Sequence, residues 1–153
     1  MKLKNRIELD SYFPYLLRAI SAYIGRGTAS TTVRTHGIGM REWRILALMG
    51  DRGAVTGKAI SIDSGMDKGS VSRALKYLDE HGLICQCATG DWRSKPYDLS
   101  AEGARVYEEL AASKRARADL LWSNLTKSER RQLISLLQKL KRNVNAVLSD
   151  LEQ

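Results

Sequence analysis

The stretch from Met66 to Leu83, MDKGSVSRALKYLDEHGL, constrains the fold more tightly than any other part of this chain. Asp67 carries the short side-chain oxygen of an N-cap, able to accept from the unbonded amides of a helix's first turn. Val71, Leu75 and Leu78 recur at spacings of four and three and so share one helical face. Lys68, Ser70, Ser72, Arg73 and Lys76 fall largely on the other faces. Gly82 ends the helix, where a left-handed residue costs glycine no strain. The spacing predicts a helix with an apolar side for a core and a side of small hydroxyls and cations. Such a side admits close approach to a duplex, with Lys and Arg meeting phosphates or guanine edges. A plain amphipathic helix with a solvated face shows the same pattern, so the neighbouring sequence decides.

Upstream, Thr56 caps a short helix over 57–64 that turns Ile60 inward, and Gly65 makes the turn into the next helix. Residues 56–81 thus read helix, Gly-containing turn, helix, the second helix being the reader. Downstream the period changes. Residues 83–89 read as a strand, 90–94 as a turn and 95–99 as a returning strand, which makes a small hairpin, or wing. Its tip carries Asp91, Trp92 and Arg93, with Lys95 just after it. An arginine on such a tip is suited to a minor groove, where the potential is most negative.

The flanks are helical. Asp10 or Ser11 can cap a first helix with Pro14 in its first turn, and Tyr12, Tyr15, Leu16, Ala19, Ile20, Tyr23 and Ile24 form its stripe. Gly25 and Gly27 predict a kink or fraying, and Gly37 and Gly39 break the chain. Residues 40–50 form a short helix with Trp43, Ile45, Leu46, Ala47 and Leu48 at mostly buried positions, followed by a turn over 51–54. Ser100 caps a helix reaching about Asn124, with Tyr107, Leu110, Ala111, Ala118 and Leu121 on its apolar side. Thr126-Lys-Ser-Glu129 is a capping box for a last helix to about Leu151. Its stripe of Leu133, Leu136, Leu137, Leu140, Val144, Val147, Leu148 and Leu151 fits either intramolecular packing or a dimer seam shared with the first helix. The expected class is mostly α with a small β-hairpin wing: a winged helix-turn-helix lobe over 40–99, an N-terminal dimerisation helix in 1–39 and C-terminal dimerisation helices in 100–153.

Charge narrows the partners. The net charge of +8 and a pI near 9.7 favour an acidic partner, nucleic acid being the commonest. The excess is spread out: +4 over 1–39, +1 over 40–98 and +3 over 99–153, so charge alone does not locate a surface. No apolar run reaches bilayer length and no apolar signal core follows the basic N-terminus, which predicts a cytoplasmic protein without membrane contact. The histidines, His36 and His81, are far apart, and no Ser/His/Asp, HExxH or Gly-rich phosphate pattern occurs; the expectation is no enzyme and no cofactor.

Six segments, in order, resemble the MarR family of winged-helix regulators: Arg41-Glu-Trp-Arg-Ile-Leu46, Met66 to Leu75, Leu78-Asp-Glu-His-Gly-Leu-Ile84, Asp91-Trp-Arg-Ser94, Leu99-Ser-Ala-Glu-Gly103 and Leu125-Thr-Lys-Ser-Glu129. They keep the family's spacing over roughly residues 10–150. The resemblance implies a homodimer whose terminal helices interlock and whose two lobes straddle a pseudo-palindromic operator in double-stranded DNA. It implies a transcriptional regulator, here read as a repressor, relieved by a small molecule or an oxidant. It places DNA contacts at Lys68, Gly69, Ser70, Ser72, Arg73, Lys76, Asp91, Arg93 and Lys95. An effector pocket is expected around Tyr12, Tyr15, Tyr23 and Trp43, residues that also suit a plain core, and no metal site is assigned. The chain departs from the family pattern at Gly69 (more usually Ser), at Ser61 and Ser64 in the supporting helix, in a short wing, and at Cys85-Gln86-Cys87, where arginine is frequent.

Two rival readings stand beside this one. His81, Cys85 and Cys87 lie close enough in sequence for a redox- or metal-responsive regulator, although their spacing matches no zinc pattern. The modest charge of 40–98 would also suit a winged helix that binds a protein partner.

Overall fold

The computed structural model describes residues 5–87 and 95–151, with side chains described outside 26–34 and 145–151. The chain divides into two compact units, Met1–Ala112 and Ser113–Gln153.

In the first unit, α1 (Phe13–His36) precedes α2 (Met40–Arg52), α3 (Gly57–Ser64), α4 (Lys68–Glu80), the strands β1 (Ile84–Gln86) and β2 (Tyr97–Leu99), and the start of α5 (Ala101–Leu121). The mostly α class with a two-stranded hairpin is therefore correct. Two expectations about α1 are not met. It begins after Tyr12, because Ser11 is used in the preceding turn, its hydroxyl and amide both donating to the Glu8 carbonyl. It also runs through Gly25 and Gly27 without a break. A helical glycine costs about 1 kcal/mol relative to alanine, less than is lost by interrupting a cooperative ladder.

The core is built where the short helices meet. Ile38, Ile45, Leu46, Met49, Ile60 and Leu78 are fully buried, and Val71, Ala74, Leu75, Leu83, Ile84, Val106 and Leu110 join them. Trp43 is half-buried against this cluster and stacks on Tyr107, with ring centroids 5.8 Å apart. β1 and β2 pair antiparallel, Ile84 opposite Leu99 and Gln86 opposite Tyr97. Val55, in the loop before α3, exchanges both backbone hydrogen bonds with Tyr97 at 2.9 Å, so the wing's base is tied to the helical lobe.

α5 is shorter than expected, ending at Leu121, and Leu121 is exposed, as is Ala118. Its buried residues are Gly103, Val106, Leu110 and Ala111, all in the first half. In the second unit, the capping box forms as read. The Thr126 amide donates to Glu129 at 2.8 Å and the Glu129 amide returns to the Thr126 hydroxyl at 3.3 Å, opening α6 (Lys127–Leu151). Arg130 lies over the Trp122 ring, 5.2 Å from its centroid. No helix among the described residues is long and apolar enough to cross a membrane.

Candidate nucleic-acid interface

Local hydrogen bonds fix both ends of α4. Asp67 accepts from the Ser70 amide at 2.8 Å and so caps its N-terminus. At the other end Gly82 takes φ of 66°, its amide donates to Asp79 and the Leu83 amide donates to Leu78, both at 2.9 Å. This paired closure satisfies two orphan carbonyls and starts the chain toward β1. Between the caps, Val71, Ala74, Leu75 and Leu78 anchor the helix in the core.

That anchoring turns Lys68, Gly69, Ser72, Arg73 and Lys76 to solvent. Ser70 corrects the sequence reading: it is 6% exposed, on the core side, four residues before Ala74. Its hydroxyl serves the protein itself by accepting from Arg73 Nη2 at 3.3 Å. Lys76 pairs with Glu80 at 3.7 Å, one turn along the same exposed face.

Beside α4 lies a groove of about 680 Å³. It is lined by Lys68, Ser72, Lys76 and Asp79 of α4, Gly57 and Lys58 at the start of α3, and Tyr97 of β2, together with the apolar Val71 and Leu75. Lys58 is a member the sequence reading missed. Its only signal was its place two residues after the cap Thr56, in the first turn of the supporting helix. Three lysines against the one carboxylate of Asp79 leave the concavity with an excess of positive charge, suited to a phosphate backbone. Lys95 is exposed on the approach to β2. Asp91 and Arg93, the expected wing pair, lie outside the described residues.

The turn between α3 and α4 is held by side chains. Gly65 takes the left-handed conformation there with φ of 66°, while Thr56 caps the opposite end of α3 by accepting from the Ala59 amide at 3.2 Å. Ser61 donates to the Met66 carbonyl at 2.7 Å, and Ser64 donates to Ile60 at 2.6 Å while accepting from the Met66 amide at 3.3 Å. The helix-turn-helix angle is thereby fixed by hydrogen bonds as well as by packing.

No family model and no curated protein matches the chain. Solved structures do. A MarR/EmrR family transcriptional regulator from Acinetobacter sp. ADP1 is 27% identical and superposes with a TM-score of 0.83 over 92% of this chain and 99% of its own. A MarR-family regulator from Silicibacter pomeroyi is 26% identical, with a TM-score of 0.81 over 90% and 93%. The chain has the winged helix-turn-helix fold of MarR-family regulators. The same fold at 20% identity is found in NadR, solved in complex with 4-hydroxyphenylacetate, with a TM-score of 0.79 over 92% and 98%.

Against the MarR pattern, Ser61 and Ser64 are accounted for by the turn they stitch. The cysteine departure leaves two free thiols, Cys85 exposed and Cys87 half-buried. Burial, then the Asp98 and Cys85 charges, push the Cys87 thiol above its ordinary range, away from the thiolate that oxidants and metals take. His81 is engaged elsewhere: its ring stacks on Tyr77 with centroids 3.9 Å apart, and its Nδ1 lies 2.7 Å from the Tyr77 carbonyl. Among the described residues no group of three or more His, Cys, Asp or Glu is placed to hold a metal. Of the four aromatic residues expected around an effector, Tyr12, Tyr15 and Tyr23 are exposed on and before α1. Trp43 instead borders a hollow of about 460 Å³ with Arg44, Ala47, Leu48, Asp51, Asp63 and Ser64 of α2 and α3.

Proposed function

We propose that this protein is a dimeric, DNA-binding transcriptional repressor of the MarR type that reads a pseudo-palindromic operator with α4 and is released by a small-molecule effector. The observation that carries the reading is α4 itself: a helix pinned by its apolar face and both caps, with Lys68, Ser72, Arg73 and Lys76 presented to solvent beside a lysine-lined groove. Helix-turn-helix proteins place such a helix in the major groove, with the preceding helix across the backbone. Lys58 then meets a phosphate, and Arg73 reaches base edges. Gly69, Ser72 and Lys95 belong to the same contact surface, with Asp91 and Arg93 on the wing reaching the adjacent minor groove.

Exposed apolar surface supports the dimer. Phe13, Leu16, Leu17, Ile20 and Ile24 stand exposed on α1, and Leu133, Leu136, Leu137, Leu140 and Val144 on α6. Contiguous apolar patches of this kind mark interaction surfaces in a globular chain. The effector arm rests on NadR, whose complex with 4-hydroxyphenylacetate shows a protein of this fold holding a small aromatic acid. Tyr12, Tyr15, Tyr23 and Trp43 are the aromatic side chains proposed for that contact.

The test is a salt titration of binding to operator and to random duplex DNA. Arg73→Ala should weaken operator binding by about 1–3 kcal/mol while barely changing binding to random DNA. Lys58→Ala should weaken both alike and reduce the salt slope by about one. Absence of duplex binding at low salt by the wild-type protein would overturn the proposal and favour a protein partner.

A further inference from the structure

Arg73 is exposed, yet its guanidinium is not loose. Nη2 donates to the Ser70 hydroxyl three residues earlier, so the side chain folds back toward the N-terminus of α4. The receiving Ser70 is buried, and its amide is held by Asp67. Gly69 adjoins the folded side chain. A Cβ at that position would stand 3.3 Å from Arg73 Nη1, 3.3 Å from Asp67 Oδ1 and 3.9 Å from Arg73 Cζ. Gly69 is not among the glycines with positive φ, so the backbone does not require glycine here. A helical glycine is locally unfavourable, and a local preference that is violated points to a functional demand. What the missing side chain supplies is room for the guanidinium.

We propose that Gly69, Ser70 and Asp67 are positioning residues: together they form a notch that folds Arg73 over the first turn of α4 and aims its guanidinium at a guanine in the major groove, setting base preference at one position of each half-site. The inference rests on the DNA-binding reading above. The first turn is the part of a reader helix that reaches base edges. A guanidinium held before binding meets guanine O6 and N7 with two parallel bonds and loses less rotamer freedom on contact. The Ser70 hydroxyl and amide, and then the Arg73 charge, hold the Asp67 carboxyl below its ordinary range. The carboxylate therefore stays ionised and keeps its hold on Ser70, the residue that accepts from the guanidinium.

The experiment is selection from a random duplex pool with wild type, Arg73→Ala, Gly69→Ala and Ser70→Ala, each also melted thermally. Arg73→Ala should erase the guanine preference at one position per half-site. Gly69→Ala and Ser70→Ala should both reduce that same preference roughly 3- to 10-fold, and Ser70→Ala, which alters a buried side chain, should leave other positions and binding to random DNA unchanged. Gly69→Ala should do so without lowering the melting temperature, since alanine is the better helix former. If Arg73→Ala erases the preference and both notch variants keep the wild-type profile, the positioning role is overturned and the DNA reading stands. If Arg73→Ala leaves the profile intact, Arg73 touches only phosphate, and the inference again fails alone. A wild-type protein that enriches no sequence removes both.

Discussion

Gly103 shows how closely one residue can bind two elements. A Cβ there would lie 1.8 Å from the Leu83 carbonyl oxygen, a contact with backbone that no rotamer relieves. Gly103→Ala should force α5 away from the start of β1 and lower stability by about 1–3 kcal/mol or more, read as a fall in melting temperature. The capping carboxylates give a pH dependence with a definite sign. Asp67 and Glu129 are both held below their ordinary values, Asp67 by the Ser70 hydroxyl and amide and Glu129 by the Thr126 hydroxyl and amide. A carboxyl depressed in the folded state binds fewer protons there than in the unfolded chain. Its stabilisation is fully present above the unfolded value and is lost as pH falls through the folded one. The melting temperature should hold from neutral pH down to about pH 5 and drop below about pH 4. Asp67→Asn keeps a capping oxygen but cannot ionise, so its acid loss should be smaller. Parallel loss in both proteins would show that Asp67 ionisation contributes nothing.

At the level of elements, what the sequence made legible was local. The caps at Thr56, Asp67, Ser100 and Thr126 all act within three residues, and all four form. The face of α4 was legible because Val71, Leu75 and Leu78 repeat at helical spacing. Contacts between distant residues were not legible. The Val55–Tyr97 bridge joins positions that share no periodicity, and Lys58 belongs to the groove only because α3 packs beside α4. Ser70 had the spacing of a buried position, but its hydroxyl suggested an outward role, and only the packed helix shows it turned to Arg73. The fraying expected at Gly25 and Gly27 is not seen, because propensity is a weak prior against a cooperative ladder. Leu133, Leu136, Leu137, Leu140 and Val144 of α6 are exposed, which fits the proposed seam. Replacing Leu137 and Leu140 together by Asp should leave α6 helical and convert a micromolar dimer to monomer, since a buried seam does not tolerate unpaired charge. Sedimentation of both proteins reads this directly, and a wild-type monomer at that concentration removes the dimer.

For the whole molecule, net charge does not single out the DNA-facing surface. The +8 is spread along the chain, and residues 40–98 contribute only +1 of it. What makes the lobe a reader is arrangement: cations on the free face of α4, three lysines on one groove, and a turn stitched by Ser61 and Ser64. Two such lobes related by a two-fold axis would read two inverted half-sites with centres about one helical turn, roughly 10 base pairs, apart. The most direct measurement is the sequence enriched from a random duplex pool by the wild-type protein. The expected result is an inverted repeat at that spacing, with a guanine in each half-site. A single unpaired site, or no enrichment at low salt, would contradict it.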